Sequence, residues 1–234
     1  MTIALVSGQI AHVSDASAVA TRNVVLTNNP TPGNFVVVIG AFGYASSPTF
    51  TVKDSAATPN TYTATTSTPF LNSTTTGGVG VWYLPNVPSG ATKTITIANN
   101  NNTAGDWTVA EFSGVATSTP LETAITGTQT STTTINTPSV TTTNAGDLVV
   151  GGTATAGDVS AVVTTTTPWI SFYTFPSTQG EGAEYVIQTS AGAATTGYTQ
   201  STAGASATLM AAFKAAASAN AFPTPSIGAI MIGA

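Results

Sequence analysis

Residues 35–42 read FVVVIGAF, and the residues just before them, 30–34, read PTPGN. A run of eight apolar residues, rich in β-branched side chains and opened by a turn, has the length of a strand rather than a helix. It lacks the in–out alternation of a half-exposed strand, so it is expected at the centre of a sheet with both faces covered. A central strand needs partners on each edge, and the sequence on either side supplies them. Alternating or apolar strand-length segments occur at 18–26, 50–54, 61–66, 80–84, 93–98 and 107–112. The separators PNVPSGA (85–91) and NNNNTAGD (99–106) carry the Asn, Pro and Gly that turns require. A second series follows at 124–128, 136–140, 147–155, 170–175, 184–189, 195–200 and 205–212. About fourteen short strands at regular spacing predict an all-β, antiparallel β-sandwich of jelly-roll type. Only residues 205–217 (ASATLMAAFKAAA) have helical propensity, and the alternation of Leu209, Ala211 and Phe213 with Met210, Ala212 and Lys214 favours a strand for their first half. No fixed-period repeat stands out. The expected layout is one sandwich over 1–217 and an apolar extension over 218–234. Two small sandwiches in series are the alternative, although no linker separates the halves.

Composition narrows the function classes. Only 6% of the 234 residues are charged, with four Lys or Arg, nine Asp or Glu, one His and no Cys. Roughly a quarter is usual for a soluble chain. The hydrophobic share of 41% is enough for a core, and the mean hydropathy of +0.24 is far from that of a disordered chain. Threonine suits this balance, because its β-branch fits the pleat and its hydroxyl tolerates water. A net charge of −5, with Arg22, Lys53, Lys93 and Lys214 scattered, excludes a phosphate-tracking groove and hence nucleic acid as a partner. Lack of cysteine excludes disulfides, thiolate metal sites and cysteine nucleophiles. Residues 1–15 (MTIALVSGQIAHVSD) have neither a basic n-region nor a long apolar stretch, so no secretory signal is expected. No apolar run approaches the roughly 18–20 residues that span a bilayer.

The order of the segments resembles a family of jelly-roll β-sandwich domains related to lectin-like and laminin-G-like folds. Such domains are found in large bacterial surface proteins and in bacteriophage tail or head-surface proteins. The likeness is carried by IALV (3–6) with VVLT (24–27), PGNFVVVIGAF (32–42), VKDSAATPNTYT (52–63) and VWYLPNVPSGATKTITI (81–97). It continues through WTVAEFSGVATSTPLE (107–122), NAGDLVVGG (144–152) and SATLMAAFKAA (206–216). It therefore runs from Ile3 to about Ala216. Three departures stand out: the lengthened turn SAATPN (55–60), the stretch TTTTPWISFYTFPSTQGEG (164–182), and the segment beyond Ser218. The resemblance implies a fold and a surface setting, and it implies no activity.

Candidate chemistry is sparse. His12 is the sole imidazole and lies in a turn-like AHVSD, where a surface or interface role is expected. Glu111, Glu122, Glu181 and Glu184 sit in no recognisable acid–base motif, so no catalytic residue is assigned. Glu111 alternates with core-like residues, and a hydrogen bond to a neighbouring loop is its expected role. Asp54 with Asn60 is the weak candidate for a calcium ligand pair, and Asp147 after Asn144 is another, but no loop has calcium-binding spacing. No cofactor is expected. Trp169, Phe172, Tyr173 and Phe175 crowd between Pro168 and Pro176. That cluster suits either a displayed ligand loop stacking on a sugar or, as the favoured reading, core packing or a subunit interface. Trp82 and Trp107 lie inside strands and are expected in the core. The segment FPTPSIGAIMIGA (222–234) carries Phe222, Ile227, Ile230, Met231 and Ile232 with no charge, which predicts burial, against its own sandwich or, as the favoured reading, against a neighbouring copy by strand addition, with a disordered end as the alternative. The expected function is that of a non-enzymatic structural protein of a virion surface. It would be made in the host cytoplasm and act as a head decoration, tail or fibre component. Its partners would be copies of itself, a trimer by analogy with fibres, together with other virion proteins. The alternatives are an adhesin or carbohydrate-binding module at a cell surface, and a strand-donating subunit of an extracellular filament.

Overall fold

The computed structural model describes residues 2–43, 47–65, 70–71, 77–155, 163–164, 168–172 and 180–217. Every regular element in them is a strand. The first half of the chain forms β1 (Ala4–Val25), β2 (Phe35–Gly43), β3 (Phe50–Asp54), β4 (Thr63–Ala64), β5 (Phe70–Leu71), β6 (Gly77–Leu84) and β7 (Thr94–Ser113). These make one antiparallel sheet in the order β1-β7-β2-β6-β4, with β3 paired to β7 and β5 to β6. FVVVIGAF is therefore central, with Val38 opposite Trp82 on one side and Val109 on the other. Its side chains are almost completely buried on both faces.

The second half forms β8 (Leu121–Asn136), β9 (Val140–Thr142), β10 (Leu148–Thr155), β11 (Val163–Thr164), β12 (Ile170–Ser171), β13 (Gly182–Ile187), β14 (Gly192–Ala194) and β15 (Gly197–Phe213). Its sheet runs β8-β15-β10-β13-β12, with β11 paired to β15, while β9 and β14 form a separate two-stranded sheet. The two main sheets pack face to face as a β-sandwich. A jelly roll alternates successive strands between sheets. Here each half of the chain keeps to one sheet, because its own first and last strands pair along their length.

The two strand orders are the same order. Substituting β8 for β1, β15 for β7, β10 for β2, β13 for β6, β12 for β4 and β11 for β3 converts the first into the second. The registers agree as well. Phe35 faces Phe112 as Leu148 faces Phe213, and Val37 faces Tyr83 as Val150 faces Tyr185. Thr63 faces Tyr83 as Ile170 faces Tyr185, and Val52 faces Ile97 as Thr164 faces Tyr198. Contacts between the halves are reciprocal. Tyr83 packs edge-on to Phe213 with centroids 5.2 Å apart, and Tyr185 packs edge-on to Phe112 at 5.2 Å. The strand ends also meet: Ala116 N–H donates to Lys214 O and Ala216 N–H to Gly114 O, around a Val115–Ala215 bridge. Such reciprocity is what a twofold interface produces. The chain is an internally duplicated β unit whose copies pack about an approximate twofold axis.

Three apolar layers follow from this. The largest lies between the sheets and joins Phe35, Ile39, Val81 and Phe112 to Leu148, Val150, Leu209 and Phe213. A second, around Trp82 and Trp107, covers the outer face of the first sheet, and a third, around Val149, Trp169 and Met210, covers that of the second. Both tryptophans expected in strand interiors are buried.

The second layer exists because β7 does not stop at NNNNTAGD, where a turn was expected. It bends there, pairing β3 up to Asn99 and β2 from Gly105 onward. Asn102 adopts φ 48°, Asn101 N–H donates to Asn99 Oδ1, and Asn99 Nδ2 donates to Val19 O on β1. The asparagine amides replace ladder bonds at the bend, so the strand survives it. The expected strands 195–200 and 205–212 are also one strand, β15, with register shifts against β8 at Thr199–Ser206, where Gln200 Nε2 donates to Thr132 O and Gly204 O. Likewise, the segments expected at 124–128 and 136–140 resolve into the longer β8 and the short β9.

Candidate functional site

The scarce charged groups turn inward. Of the eight carboxylates among the described residues, six are buried: Asp54, Asp106, Glu111, Asp147, Glu181 and Glu184. Arg22 is buried too, its guanidinium lying over the Trp107 ring and donating to Thr103 O. Three of the carboxylates act as loop anchors. Glu111 accepts from Gln9 Nε2, Thr31 N–H and Asn34 Nδ2 at 2.7–2.8 Å, the loop role expected for it. Asp147 accepts from the backbone N–H of Asn144 and Ala215. Asp54 accepts from the N–H groups of Ala56, Asn60 and Thr92 and from Asn60 Nδ2. The calcium candidates Asp54 and Asn60 are therefore bound to each other. Asn60 turns its N–H and Nδ2 to the Asp54 carboxylate, while its backbone oxygen accepts from Asp54 N–H. Glu122 accepts from Thr143 N–H.

His12 lies mid-strand in β1 opposite Thr108, not in a turn, because β1 runs unbroken through AHVSD. Its Nε2 stands 3.3 Å from Glu181 Oε2, so an imidazole–carboxylate pair ties the first half to the second. Sequence spacing gave no sign of this pair, since its members lie far apart in the chain.

The duplication exposes a second contrast. Phe42, Trp82, Ile97 and Trp107 form one apolar cluster in the first half. The residues in equivalent register in the second half are Thr155, Glu184, Tyr198 and Thr208, all buried. Burial, followed by the proximity of Glu184 and then of Glu181, pushes the Tyr198 phenol pKa well up. Gly151 takes the place of Val38; a Cβ there would stand 3.0 Å from the Tyr198 hydroxyl. At these four positions one half is apolar and the other polar.

Buried phenols are expected to set the alkaline limit of the fold. Burial raises the pKa of Tyr62, Tyr83, Tyr185 and Tyr198, and nearby Asp54 and Glu111 raise that of Tyr62 further. A group whose pKa is higher folded than unfolded stabilises fully below the unfolded value, about 10 for Tyr, and less as pH climbs beyond it. Urea midpoints are expected to hold steady from pH 8 to about 9.5 and to fall above about 10. Tyr62 has a buried hydroxyl with no partner, so Tyr62→Phe orphans nothing. This variant is expected to lose less stability than wild type between pH 8 and pH 11. An unchanged alkaline loss would refute the assignment.

The aromatic segment is covered rather than displayed where it is described. Trp169 is 9% exposed and donates its indole N–H to Thr195 O at 2.9 Å, and Phe172 packs edge-on to Phe112. Neither ring offers a face to a sugar. Tyr173 and Phe175 lie outside the described residues, as do the tail residues Phe222, Ile227, Ile230, Met231 and Ile232.

One exposed feature is the outer edge of β8. Among the described residues β15 is its one strand partner. From Thr123 to Gln129 the register is unbroken and the sequence TAITGTQ has no charge and no proline. Ile125, 38% exposed, stands in its middle. Beside it lies a groove of about 390 Å³ walled by Glu122, Thr123 and Ile125 on one side and Ser139, Val140, Thr141 and Thr143 on the other. The chain matches no protein-family model and no curated relative.

Proposed function

We propose that this chain is a non-enzymatic structural protein that assembles with copies of itself on the surface of a particle. The setting implied by its resemblance is a bacteriophage head decoration, tail or fibre. The observation that carries the reading is the inward placement of charge. Six of eight described carboxylates and the single arginine are buried, which leaves a surface of hydroxyls and amides. Such a surface packs against a copy of itself with little desolvation of ions and little like-charge repulsion. The ionisable groups that catalysis would need are engaged in holding loops and halves together. The apolar segment with Phe222, Ile227, Ile230, Met231 and Ile232 supplies the adhesive part, and a closed trimer is the preferred form.

Light scattering and negative-stain microscopy of the full chain test this. A discrete closed oligomer at micromolar concentration is the expected result. A monomer at every concentration reached would overturn the reading.

A further inference from the structure

We draw no further inference here: the strongest candidate, the uncharged outer edge of β8 from Thr123 to Gln129 with the groove between Ile125 and Val140 beside it, carries nothing, because nothing in the structure shows what covers it.

Discussion

Phe112→Ala and Phe213→Ala are each expected to lower the unfolding free energy by about 3–5 kcal/mol, and by nearly the same amount. Both rings are completely buried in the layer between the sheets. Each sits in the last long strand of its half, and each packs edge-on to the tyrosine of the other half. Truncation removes the transfer energy of the ring and leaves a cavity walled by two sheets that are each braced along their length, so little collapse is available. The secondary neighbours differ in detail but not in kind: Phe213 also touches Phe35, and Phe112 also touches Phe172. Double-mutant cycles on Tyr83 with Phe213 and on Tyr185 with Phe112 sharpen the test. Both couplings are expected at about 0.5–1.5 kcal/mol, in line with edge-on aromatic pairs. A coupling present in one cycle and absent in the other would show that the two contacts are not equivalent and that the interface is not a twofold one.

That symmetry was only partly legible in the residues. The pattern that makes a strand survives duplication, because FVVVIGAF and LVVGGTAT both read as buried strands after Gly-Asn or Gly-Asp. The endings AEFSGVA (110–116) and AAFKAAA (211–217) share an Ala-x-Phe placed on the same face. Between these points the halves diverge at the positions an eye uses for comparison. Trp82 answers to Glu184 and Trp107 to Thr208. Backbone register is fixed by the alternation of burial, not by which residue is buried, so the two halves share a topology while their residues differ. The bend at Asn99–Gly105 was misread for a related reason. Asparagine runs favour turns because their amides bond the backbone locally, and here the Asn99 amide bonds Asn101 N–H locally and also donates to Val19 O on the adjacent strand. The pairing of His12 with Glu181 left no trace in spacing, since a contact between halves depends on how the sheets stack. Burial of Trp82, Trp107 and Glu111 was legible, because each sits in a strongly alternating or apolar strand.

Glu111→Ala is expected to cost about 4 kcal/mol or more, and Glu111→Gln about 2–3. The carboxylate is completely buried and gathers three donors. One of them, Gln9, in turn brackets Asn28: its Nε2 donates to Asn28 O and its Oε1 accepts the Asn28 N–H. Through Gln9, Thr31 and Asn34, a single side chain in β7 therefore fixes the loop that delivers the chain into β2. Alanine removes every acceptor at once. Each stranded buried donor then costs about 1–3 kcal/mol of lost solvation, to which the cavity adds. Glutamine keeps the shape and one carbonyl, but turns an N–H₂ toward groups that are themselves donors, so part of the loss remains. The two variants should also separate in hydrogen exchange. Amides between Leu26 and Asn34 are expected to open in both, while the β10–β15 pair, in the other half, keeps its protection. A Glu111→Gln protein with wild-type stability would show that the loop is held by its backbone alone, through the Gly33 to Val87 and Val87 to Asn34 bonds. The charge at position 111 would then have no structural role, and the view that this protein uses its few ionised groups as internal anchors would lose its strongest case.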